Sequence, residues 1–147
     1  MKPANDLIAE LISARDQYSQ LLTRYNEFIA QITALLKGDD RFTDVQITRN
    51  PNNSLTITFL GRELLVTFKF STIEGSHAGY INCYLKDNEP ETEINNIHSF
   101  SFNAQGVANI EVQNGNGPYE IHNHMDAVNI LAYWLKQSLN GNSHTQT

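Results

Sequence analysis

Leu7, Leu11, Ala14, Tyr18, Leu21, Tyr25, Phe28, Ile32 and Leu35 recur at alternating steps of four and three residues. Ile8, Ile12, Leu22, Ile29 and Leu36 form a second row beside them. This period puts both rows on one side of a helix. It predicts a helix over 5–37, with Asn5 as N-cap and Lys37-Gly38 as the stop. A body of about 31 residues would be about 46 Å long. The remaining ~110 residues form a globule roughly 34 Å across, so the helix outruns the body that it can cover. A seven-residue period also suits a supercoiled helix pair. The expectation is a homodimer through Leu7, Leu11, Tyr18, Leu21 and Tyr25, although tyrosines in the seam suit packing on a sheet better than a tight coil.

From residue 42 the period changes to two. Phe42–Thr48 reads as a strand, and RNPNNS (Arg49–Ser54) has turn chemistry. Leu55, Ile57 and Phe59 alternate with Thr56 and Thr58, the pattern of a half-buried strand. After a turn at Gly61-Arg62, Leu64, Val66, Phe68 and Phe70 alternate with Leu65, Thr67, Lys69 and Ser71. EGSHAG (Glu74–Gly79) turns the chain into Tyr80–Leu85, and DNEPETEINN (Asp87–Asn96) is a loop. Ile97–Phe102 and Val107–Val112 read as a hairpin around NAQG, with Gly106 in the left-handed position. QNGNGP (Gln113–Pro118) reads as the most flexible internal stretch. Val128, Leu131, Leu135 and Leu139, flanked by Ile130 and Trp134, mark a second helix over 125–139.

The predicted fold is therefore α+β within 1–139. A long N-terminal helix precedes an antiparallel sheet of five to six strands over 42–122, mostly in meander order, and a C-terminal helix follows. Both helices should cover one sheet face. Thr56, Thr58, Thr67, Lys69 and Ser71 then mark the other face, solvated or used for binding. Residues 140–147 read as a disordered polar tail.

Composition narrows the chemistry. The net charge is −6, and from Phe70 to Leu135 eight acids stand against the single base Lys86. The bases are scattered, which argues against direct nucleic-acid binding. The single cysteine, Cys83, needs no disulfide and fits a reducing compartment. The start lacks a signal-peptide run, and no apolar stretch approaches the roughly 20 residues of a membrane span. The expected location is the cytoplasm.

Candidate chemistry is sparse. His122 and His124 are two residues apart, the spacing that points two ligands the same way on a strand. Glu120 shares their parity, and His77, His98 or Asp126 could join by folding. A catalytic zinc wants three protein ligands and a water. The simpler reading is a strand that ends as a helix begins, with Asp126 against the positive helix end. His98 is in phase with Phe100 and Phe102, facing core or pocket. Cys83 lies in no nucleophile motif.

Asp87, Glu89, Glu91 and Glu93 crowd one loop, with Tyr80, Tyr84 and Tyr119 available as anchors. The expectation is a small acidic, non-catalytic protein-binding module, of the general kind of inhibitors, immunity proteins and chaperones. It needs no cofactor, and its partner has a basic surface. The alternative is a metal- or small-ligand-binding enzyme built on His122 and His124 with His98 or Glu120.

Overall fold

The structure, a computed structural model, describes residues 4–73, 75–86, 94–112 and 115–140. The chain is α+β, as expected. Helix α1 spans Ala4–Gly38. Strands β1 (Val45–Arg49), β2 (Leu55–Phe59), β3 (Arg62–Ile73), β4 (Ser76–Lys86) and β5 (Ile94–Phe102) form one antiparallel meander. Strands β6 (Val107–Val112) and β7 (Gly115–Glu120) form a separate two-stranded ribbon, and helix α2 spans His124–Asn140.

The alternation read from the sequence becomes the register of the sheet. Leu55, Val66, Cys83 and His98 align across four strands, and Phe68, Ile81 and Phe100 across three. These rows face the helices. Leu21, Tyr25, Phe28, Ile32 and Leu35 of α1 and Ile130, Leu131 and Trp134 of α2 are buried against them. The helices also touch each other: Phe28 meets Trp134 edge-on at a ring separation of 5.6 Å.

Local chemistry sets the turns. Leu60 and Gly61 both have positive φ, 49° and 77°, so β2 and β3 meet in the two-residue turn that matches strand twist. In RNPNNS, Asn52 and Asn53 take the left-handed region, which asparagine tolerates. The compensation is tertiary: the buried Tyr25 hydroxyl donates to the Asn53 carbonyl at 2.6 Å.

Burial pushes the Tyr25 hydroxyl from its ordinary 10.0 up to about 12, with nearby Arg49 acting weakly the other way. The fold thus holds this proton more tightly than the unfolded chain. The resulting stabilisation is complete below about pH 10 and is lost as pH rises towards about 12. Between pH 8 and about pH 11.5 the protein should lose about 2 kcal/mol more than Tyr25→Phe does, measured by urea unfolding. Equal losses in the two proteins would contradict the assignment.

Several expectations are corrected. Phe42 belongs to a 3₁₀ turn, Asp40–Phe42, and β1 begins at Val45. Asp39 caps that turn by accepting from the Arg41 guanidinium and from the Arg41 backbone N–H, which together hold the carboxyl down at about 2. Ile97–Phe102 and Val107–Val112 do not pair: β5 pairs with β4, and β6 pairs with β7. Gly115–Pro118, read as flexible, lies within β7. Helix bounds move by one residue at each end relative to 5–37 and 125–139. Of the tail, Asn140 is helical, and 141–147 lie outside the described residues.

Candidate functional site

The histidine corner is built from backbone bonds. β7 ends at Glu120, whose carbonyl accepts from Asn123 N–H at 2.9 Å. Asn123 then caps α2: its side-chain oxygen accepts from Asp126 N–H at 3.2 Å, and its carbonyl from Ala127 N–H at 2.9 Å. Asp126 reaches back to accept from Glu120 N–H at 2.8 Å. Because Ile121–Asn123 is a turn, the strand rule that aligns residues two apart does not apply to the histidines.

They diverge accordingly. His124 is exposed, and its Nδ1 lies 3.1 Å from Gln31 Oε1 on α1. His122 Nδ1 is buried without a hydrogen-bond partner and is packed against Gly106. Glu120 offers its backbone N–H to Asp126 and is itself exposed. Among the described residues no three His, Cys, Asp or Glu side chains come together in a metal-binding group.

His98 sits on the core side of β5. Its Nδ1 accepts from Trp134 Nε1–H at 2.8 Å, and Tyr133 packs edge-on against its ring at 4.9 Å. That bond requires an unprotonated Nδ1, so the nitrogen is committed to the indole. Cys83 is buried, and burial pushes its thiol up, away from the thiolate that nucleophilic chemistry needs.

The open face of the meander gathers more of the expected binding residues. Thr56, Leu65 and Tyr84 align across β2, β3 and β4. Lys69 pairs with Tyr80, and Thr67 with Asn82. Tyr80 and Tyr84 are half-buried on this face, set in a field of threonine, serine and asparagine. Asn96 donates to Ser99 at 2.6 Å, and Ser99 donates to Asn82 at 2.7 Å, which fixes the polar side chains between the tyrosines. Lys86 pairs with Glu63 at 3.2 Å at the end next to the acidic segment.

Sequence reasoning named the threonines, Lys69, Ser71 and the tyrosines, but passed over Leu65, Asn82, Asn96 and Ser99. Leu65 was readable, since it alternates with Leu64 and Val66. So was Ser99, which alternates with His98 and Phe100. Asn96 was not, because a register shift between Cys83 and Tyr84 brings it onto the face. Tyr119 does not join: it lies on β7 opposite Ala108 and packs against the core. Asp87, Glu89, Glu91 and Glu93 lie outside the described residues.

Of the five expected self-association residues, Leu21 and Tyr25 are wholly buried in the chain's own core, where no second copy can reach them. Leu7, Leu11 and Tyr18 are exposed. No helix among the described residues is long and apolar enough to cross a membrane. Comparison with family models, with curated proteins and with solved structures returns no match.

Proposed function

We propose that this chain is a small acidic, non-catalytic protein-binding module. It takes a partner with a basic surface on the open face of its sheet and on the acidic segment Asp87–Glu93 that continues from β4. The observation that carries the reading is the open face, where Tyr80 and Tyr84 stand half-buried among hydroxyl and amide side chains. Tyrosines seated this way bring large contact area at low entropic cost and are frequent energetic anchors. The four carboxylates of the adjoining segment would steer a cationic partner rather than anchor it.

The experiment is affinity isolation from the source cells with the intact chain, followed by quantitative binding of the recovered partner. Tyr80→Ser with Tyr84→Ser should weaken binding by about 30-fold or more. Neutralising Asp87, Glu89, Glu91 and Glu93 together should slow association about tenfold and flatten its salt dependence. Unchanged affinity in the first variant, with unchanged association in the second, would exclude this surface.

A further inference from the structure

We infer that the N-terminal overhang of α1 is a self-association surface that pairs antiparallel with the same segment of a second copy. This inference stands on α1 alone and is independent of the open sheet face.

The seam of α1 runs past the body that it covers. Its buried part begins at Leu21, and Tyr18, against Phe68 and Phe70, is the outermost aromatic contact. Beyond it, Leu7, Ile8, Leu11 and Ile12 are exposed by 47%, 54%, 70% and 45%. Their spacing stacks them on one helix face. The four make an apolar patch on the order of 400 Å², the size at which surface patches are commonly functional. Two such patches face to face remove about 800 Å², close to the ~1,000 Å² of a specific interface.

A second copy fits this patch better than an unrelated surface because the patch complements itself. A two-fold axis between residues 9 and 10 sets Leu7 against the partner's Ile12 and Ile8 against the partner's Leu11. Both halves of the contact are satisfied at once, and the assembly closes as a dimer. The same register sets Asp6 opposite Ser13, Glu10 opposite Ala9 and Arg15 opposite Ala4, so no like charges meet. In this register residues 4–15 pair in full. Each chain has net charge −6, and antiparallel pairing sends the two bodies to opposite ends, where repulsion is screened beyond about 8–10 Å.

Sedimentation equilibrium of the full chain from about 1 μM to about 200 μM tests the inference. The mass should rise to twice that of the monomer and stop there. Leu11→Glu and Ile8→Lys should each weaken association at least 30-fold, with helix content and unfolding midpoint unchanged, because neither side chain is buried in the body. An equimolar mixture of the two variants should associate at least tenfold more tightly than either alone. In the mixed pair Glu meets Lys on one side, and Ile8 meets Leu11 on the other. A monomer at every concentration would overturn the inference. So would growth beyond a dimer, association unaffected by Leu11→Glu, or a mixture no tighter than its components.

Discussion

Trp134→Ala is expected to cost about 3–5 kcal/mol, a large share of the roughly 5–15 kcal/mol that holds a domain of this size folded. The indole is fully buried where α1, α2 and β5 meet. It packs edge-on to Phe28 of α1 and donates its N–H to His98 of β5. Truncation opens a cavity among three elements that cannot all close on it, and it leaves the His98 nitrogen without its donor. Trp134→Phe keeps most of the bulk and loses the hydrogen bond, so it should cost about 1–2 kcal/mol. Urea unfolding followed by circular dichroism separates the two. A loss below about 1 kcal/mol in Trp134→Ala would mean that the junction relaxes and stability resides elsewhere.

Gly106→Val should be comparably damaging, at about 3–5 kcal/mol, from two separable causes. The backbone has φ +81°, and an added Cβ would lie 2.5 Å from His122 Nδ1 and 2.9 Å from its Cε1. Everything around Gly106 is already tied down. Its N–H donates to the Asn103 carbonyl at 2.8 Å, and its own carbonyl accepts from Ile121 N–H at 2.9 Å. Asn103 Oδ1 accepts from the N–H groups of Gln105 and Val107, and Arg24 Nε donates to the Ala104 carbonyl. Adding His122→Ala to the Gly106→Val protein should recover about 1 kcal/mol or more by removing the collision while the strained φ remains. Thermal unfolding of the parent, the two single variants and the double variant gives the result. Strict additivity would show that the imidazole does not press on this glycine.

The legible parts of the fold are those set by local period. The α1 seam, the alternation of 55–59 and 64–70 and the second helix all follow from which side must be dry. The illegible parts are those where a single side chain or bond outvotes the pattern. Phe42 alternates like a strand residue, but the Asp39 carboxylate offers the backbone a capped turn and takes it. Asn103–Gly106 looks like a hairpin loop, yet the bond from Ile121 to the Gly106 carbonyl turns the chain out of the meander into a second ribbon. The histidines were misaligned for the same reason, since one turn at Ile121–Asn123 cancels the parity that would have paired them. On the open sheet face, β3, β4 and Ser99 of β5 follow from alternation, whereas Asn96 joins through a bulge.

The contact between α1 and α2 has a kinetic consequence. Every pairing in the meander joins neighbours along the chain, so its hairpins close short loops and can form early. Phe28 and Trp134 belong to opposite ends of the chain, and bringing them together encloses the entire sheet. That closure carries the largest chain-entropy cost in the molecule, and little offsets it until the sheet offers a surface on which both helices can settle. The two ends should therefore dock last, and should be the first to part when the protein is pulled from its termini.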